Sequence, residues 1–258
     1  MPFLPLHDDN PRILIAWPWV TWGLMLACVL VFAVQWLAGP DTNEHLIVGL
    51  GIIPASLTGQ AVLPPELALV PAPLTLVASL FLHGGFMHLV GNLLYLWVFG
   101  DNVEDGMGHP RFLVFYLLCG VAAGLIHVLS EPGSTVATIG ASGAISGILG
   151  AYLVLHPRAR VLVPVIFYIP IYLPAYVLLI FWIGFQILSA TATDSLGDIA
   201  WWAHIGGFFV GAVLVVPFRH KAIPLFGAKD PPRGIRVTKG SWRRRGGQGG
   251  RRGPWGRG

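Results

Sequence analysis

An all-α, polytopic membrane protein built from six helices is what the sequence predicts, on three observations. Of 258 residues, 55% are hydrophobic and only 11% charged, with a mean hydropathy of +0.70. So few charges cannot cover the surface of a soluble domain of this length. A bilayer-crossing helix needs roughly 20 mostly apolar residues, and six stretches approach that: about Trp17 to Leu37, Phe86 to Val103, Phe112 to Leu129, Ser142 to Leu155, Leu173 to Ser189 and Trp201 to Phe218. The third observation is the placement of Lys and Arg, which collect in cytoplasmic loops. Arg12 precedes the first span, Arg111 follows the second, Arg158 and Arg160 follow the fourth, and Arg219 with every later basic residue follows the sixth, so all 16 fall on one side. The opposite loops hold only acids: Asp41, Glu44, Glu66, Glu131, Asp194 and Asp198. Both termini are therefore expected to be cytoplasmic, and the short six-span core suggests a bacterial inner membrane, with an organellar membrane as the alternative.

Residues 1–16 read as a short cytoplasmic segment. They carry Asp8 and Asp9 and lack a basic region followed by a cleavable apolar one, so the first span is expected to be retained. The loop from Gly39 to about Leu74 holds Pro54, Pro64, Pro65, Pro71 and Pro73, and its patches IVGLGIIPASL and ELALV are apolar enough to lie at the membrane surface. The fourth span is short and glycine-rich. The uncharged stretch from Val161 to Thr193 is too long for one upright helix and too short for two. Pro164, Pro170 and Pro174 break its first half, which is expected at the interface before the fifth span begins. The domain thus covers 17–218, and the tail 219–258, ending SWRRRGGQGGRRGPWGRG, is expected to be disordered. Arg with Gly and Trp is also an RNA-binding composition, but attraction to anionic headgroups explains it more simply, and no nucleic acid is expected as a partner. Cys28 and Cys119 sit in apolar runs, which supports neither a disulfide nor a metal site.

Four polar groups stand where lipid penalises them. His88 and Asn92, in HGGFMHLVGN, are spaced i and i+4 and share one face of the second span near its outer end. Ser142 lies at the outer end of the fourth span, and His204, in AHIGGFFVG, a few residues inside the outer end of the sixth. Such groups face a bundle interior and pair with each other or line a hydrated cavity. Singly, each has a plainer reading: a serine bonds a backbone carbonyl of its own helix, and a histidine or asparagine joins two helices. At one common depth they fit covalent catalysis. A serine hydroxyl becomes nucleophilic when an imidazole takes its proton, so Ser142 and His204 form a candidate pair. The oxyanion made by attack on a peptide carbonyl needs donors aimed at it, and the His88 ring, the Asn92 amide and the Ser142 N–H are available. No acid stands at that depth to orient His204, so the site is expected to be a dyad. His204, Gly207 and Gly211 share a helical face, and Gly140, Gly143, Gly147 and Gly150 leave the Ser142 segment equally smooth. Small residues let helices approach closely in lipid, which is what would bring the two groups together.

These residues resemble the motifs of the rhomboid intramembrane serine proteases. GASG at 140–143 resembles their G-x-S-G, HLVGN at 88–92 their H-x-x-x-N, and AHIGGFFVG at 203–211 their A-H-x-x-G-x-x-x-G, in matching order over about residues 17–218. The resemblance implies a rhomboid-like six-helix bundle with Ser142 as nucleophile, His204 as general base and then acid, and His88 with Asn92 as oxyanion donors. It further implies transmembrane proteins as substrates, water entering from the outer side, and no cofactor or metal. Glu104, twelve residues after Asn92, matches an acid the family often carries, and His83 a second histidine; both are expected to be structural. His127 has no partner legible in the sequence and is expected to be a buried, satisfied histidine rather than a ligand. Two departures stand out. Many members carry an aromatic residue four positions after the nucleophile, where this chain has Ser146, and the first loop lacks the Trp-Arg pair of some bacterial members.

Two other classes compete with an endopeptidase. A catalytically silent rhomboid-like protein would bind and sort membrane clients, but such proteins usually lose the Ser or the His, and both are present. A solute or proton transporter would also use intramembrane His and Asn, yet the chain shows neither an inverted repeat nor a membrane-embedded acid to relay protons.

Overall fold

Six long helices occupy the six expected spans in the computed structural model, which describes residues 4–165, 169–192 and 199–227. Asp194, Asp198 and the basic tail from Ala228 onward lie outside the described residues. Helix α1 covers Trp19–Leu37, α5 Phe86–Met107, α6 His109–Ser130, α7 Ser142–Leu155, α8 Ala175–Thr191 and α9 Trp201–Phe218. Between α1 and α5 the first loop forms α2, Pro40–Leu50, α3, Pro54–Leu57, and α4, Thr75–Ala78, with 3-10 turns at Ala72–Leu74 and Ser79–Phe81. Three helices, α1, α6 and α9, are each long and apolar enough to cross a bilayer alone. Helix α5 qualifies together with the helical turns at Ala72–Phe81, from which it is bent by 81°. Helices α7 and α8 are apolar but shorter. The chain is a multi-pass integral membrane protein.

The shortest of the six sits deepest. Fourteen residues make α7 about 21 Å long, less than a hydrocarbon core of roughly 30 Å. It is tolerated because protein rather than lipid encloses it, and most of its side chains are buried. Its glycines meet the backbone of α9. A Cβ on Gly207 would lie 2.1 Å from the Gly143 carbonyl oxygen, one on Gly211 2.0 Å from that of Gly147, and one on Gly150 2.0 Å from that of Phe208. No side chain fits between the two helices at these three positions.

The proline-rich stretch after α7 departs from expectation. Instead of being broken by its prolines, it forms a hairpin of β2, Arg160–Val165, and β3, Ile169–Pro174, extended by β1, His7–Asp8, in the order β1-β2-β3. The ladder survives because the prolines share one parity. Pro164 pairs with Pro170, and Pro174 with Arg160, all in the class of pairs that exchange no hydrogen bonds across β2 and β3. Consistently, the Leu162 and Arg160 carbonyls point the other way and accept from Leu6 and Asp9. The first loop holds a second departure: Ile52, Ile53, Pro54 and Ala55 are buried rather than laid on a membrane surface. Ile52 exchanges two backbone hydrogen bonds with Thr138 and packs on Leu76 and Val128.

Residues 8–21 are strapped to the end of α5 by a run of polar side chains. The Asp105 carboxylate accepts from the backbone N–H groups of Ile13, Leu14 and Ile15 at 2.7 to 2.8 Å. Glu104, fully buried, accepts from the N–H groups of Val20 and Thr21 and the Thr21 hydroxyl, which caps a helix whose own Pro18 has no capping side chain. Arg12 pairs with Asp101 at 3.0 Å. Asp8 accepts from the Tyr152 hydroxyl of α7 and from Asn102, and burial pushes its carboxyl up to about 7.

Candidate active site

Helices α5, α7 and α9 all begin at the same end of the bundle, and the four expected residues lie on them, two on α5 and one each on α7 and α9. Ser142 opens α7. The first helical bond of α7 runs from Ile145 to Ala141, so the N–H groups of Ser142, Gly143 and Ala144 have no partner within the helix and point outward. His204 stands in the first turn of α9, 6% exposed. Its Nε2 lies 2.8 Å from the Ser142 Oγ. The two residues are 62 positions apart in the chain, and the interlocked glycines of α7 and α9 are what set that distance.

His88 reaches the same place from α5. Gly140 has φ +123°, the left-handed region that favours glycine, and a Cβ there would lie 2.8 Å from the His88 Nε2 and 3.8 Å from the Ser142 Oγ. The imidazole and the hydroxyl therefore flank one point. The His88 Nδ1 accepts from the Gly84 N–H at 3.3 Å. A neutral ring that accepts at Nδ1 carries its proton on Nε2, the nitrogen beside Gly140 and Ser142. Asn92 is 2% exposed and gives one amide hydrogen to the His88 carbonyl oxygen at 3.0 Å. Its Oδ1 is buried without a partner among the described residues.

The supporting positions separate into groups that touch this cluster and groups that do not. Gly143 and Gly207 line the α7–α9 contact beside it, and Gly211 lies one turn deeper. Glu104 lies at the opposite end of α5, among the strap contacts. His83 packs its ring against His88 with centroids 5.2 Å apart, and Gln35 of α1 holds its backbone N–H at 3.0 Å. His127 shares a hydrogen bond of 2.9 Å with the Thr138 hydroxyl. Ser146 turns its hydroxyl onto the Ser142 carbonyl oxygen of its own helix at 2.7 Å. No group of three or more His, Cys, Asp or Glu side chains able to hold a metal ion occurs among the described residues.

Three contacts to His204 were not anticipated. The Oε1 of Gln186, on α8 and 2% exposed, lies 2.8 Å from the His204 Nδ1. Trp182 and Trp201 flank the ring, each with centroids 6.2 Å away, the first tilted by 39° and the second edge-on at 88°. Ser146 itself offers no ring, and these two indoles border the imidazole instead. The signal for Gln186 was in the sequence: an amide inside FWIGFQIL is as conspicuous in lipid as the four groups singled out above.

Comparison with known proteins gives concordant findings. The family model for the Rhomboid domain matches residues 72–221. The chain is 31% identical over 200 residues to "Rhomboid protease GluP" of Bacillus subtilis (strain 168), covering 78% of this chain and 36% of that protein. It is 34% identical over 156 residues to "RHOMBOID-like protein 12, mitochondrial" of Arabidopsis thaliana, covering 54% and 44%, and 29% identical over 154 residues to "Rhomboid protein 1, mitochondrial" of Saccharomyces cerevisiae (strain ATCC 204508 / S288c), covering 56% and 41%. The matched stretch thus spans less than half the length of each of these relatives. Two of the three carry "mitochondrial" in their names, so the expected bacterial inner membrane draws no support from them.

Proposed function

Because the chain belongs to the rhomboid family, we propose that it is an intramembrane serine endopeptidase that cleaves transmembrane or juxtamembrane segments of other membrane proteins. The observation that carries this reading is the 2.8 Å contact between the Ser142 hydroxyl and the His204 Nε2, held at the mouth of a helical bundle. Ser142 Oγ attacks the scissile carbonyl carbon while its proton passes to Nε2. The oxyanion that forms is met by the His88 Nε2–H, the Ser142 backbone N–H and the second N–H of Asn92, with the positive end of the α7 dipole behind them. As the C–N bond breaks, His204 returns the proton to the departing amine. Ser142 is left as an ester, which water hydrolyses with the same imidazole as base.

The substrate class follows from the backbone. A helical peptide bond directs its carbonyl along the helix, so the scissile region must unwind, and segments containing Gly, Ser or Pro unwind most readily. The site lies at the end of the bundle away from the basic residues, so the product carrying the substrate's outer portion leaves on that side.

A fluorophosphonate probe tests the reading without knowledge of the substrate. The parent protein in detergent or lipid is expected to be labelled on Ser142, and Ser142→Ala is expected to take up no label. A parent that takes up no Ser142-dependent label would favour a silent, client-binding member of the family.

A further inference from the structure

Gln186 is a buried polar group, 2% exposed, that the chemistry above leaves unused. It lies on α8, whose sequence AYVLLIFWIGFQILSAT is otherwise apolar up to Ser189. Burying an amide in such surroundings is unfavourable unless a partner meets it. Its partner is the His204 Nδ1, 2.8 Å from Oε1. The other face of the ring's chemistry, Nε2, is 2.8 Å from the Ser142 hydroxyl. Ser142, His204 and Gln186 therefore form a continuous hydrogen-bonded line across α7, α9 and α8.

The chemistry of that line depends on which amide atom faces the ring. A carboxamide oxygen only accepts, so the nitrogen opposite it must carry a hydrogen. With Nδ1 protonated, a neutral imidazole presents its lone pair at Nε2, toward the serine proton it has to take. The opposite tautomer would turn an Nε2–H against the hydroxyl, and no base would remain. From this juxtaposition we propose that Gln186 is a positioning residue that holds His204 in the Nδ1–H tautomer, so the hydrogen-bonded line has three members where the sequence suggested two, while the proton itself moves only between Ser142 and His204.

The flanking aromatics cannot perform this task. Trp182 and Trp201 contact the ring through π-faces and edges, and an indole nitrogen is a donor only. They restrict the plane of the imidazole but do not select its tautomer. A neutral amide also suits the location: a carboxylate in the same place would have to be desolvated without a cationic partner. The amide supplies direction without net charge, and it stabilises the imidazolium formed during attack by the carbonyl dipole alone.

This inference rests on the endopeptidase reading, and two readouts keep their failures apart. In proteoliposomes with a model transmembrane substrate, Gln186→Leu is expected to lower kcat by roughly 10²-fold, with KM and thermal unfolding near parental values. Gln186→Glu, which presents an oxygen to Nδ1 in either protonation state, is expected to recover most of that loss. A side chain that only filled space would tolerate leucine. The second readout needs no turnover: histidine 15N NMR of the parent is expected to show His204 protonated at Nδ1 and bare at Nε2, with Nε2–H populated in Gln186→Leu. Parental kcat in a folded Gln186→Leu, or a parent whose His204 carries its proton on Nε2, would overturn the proposal. If the leucine variant does not fold, the parental spectrum alone decides. A parent never labelled on Ser142 would instead sink the endopeptidase reading and leave the tautomer assignment to stand or fall by the spectrum.

Discussion

His204→Ala is expected to lower turnover of a model transmembrane substrate by roughly 10⁴-fold or more, to the level of Ser142→Ala, while the protein remains folded. The imidazole accepts the serine proton and later delivers it to the leaving amine, and no other side chain is bonded to the Ser142 hydroxyl among the described residues. The two substitutions act on one relay, so combining them should cost no more than either alone. Fold retention is expected because α9 is held to α7 by backbone contact at Gly207 and Gly211, not by the imidazole. Proteoliposome cleavage assays with a thermal-unfolding control measure both. Substantial activity in a folded His204→Ala would mean that another group serves as base.

Gly211→Val is expected to remove activity by a different route. A Cβ at this position would fall 2.0 Å from the Gly147 carbonyl oxygen, an overlap that only separation of α7 from α9 can relieve. Displacing a base from its nucleophile by about 1 Å can cost on the order of 10²-fold in rate, and the two γ-methyls of valine demand more than that. The expectation is loss of at least that much kcat together with a lower unfolding temperature. Gly184→Ala on α8 is the matched control, since a Cβ there meets nothing within 4 Å. It should leave both quantities near parental values, and equal damage from the two substitutions would contradict the close-approach account.

The spans were legible because lipid imposes one simple rule, about 20 apolar residues between charges, and the helix found at Trp201–Phe218 begins and ends where that rule put it. The same rule drew attention to Ser142, His204, His88 and Asn92, since a polar group inside a span is conspicuous. Outside the bilayer the rule loses its force. Pro164, Pro170 and Pro174 read as breaks in sequence because each lacks the N–H that regular structure uses. Their common parity, which lets a hairpin form around them, appears only once a register is known. The contacts of the N-terminal strap were equally hidden: Asp105 accepts from three backbone N–H groups about 90 residues away, and backbone donors carry no signature in sequence. Gln186 was missed for a different reason. An acid is the usual partner of such a histidine, whereas fixing a tautomer requires only an oxygen.

The central claim is that the Ser142 hydroxyl and the His204 Nε2 touch and react as a pair. A peptidyl chloromethyl ketone with alanine at its reactive end interrogates that contact directly, because the serine adds to the ketone carbon and the imidazole displaces chloride from the adjacent carbon only when both lie within one bond network. Digestion and mass spectrometry of the treated protein are predicted to show alkylation of His204, lost in Ser142→Ala. Alkylation of His204 unaffected by Ser142→Ala, or reaction confined to other residues, would contradict it.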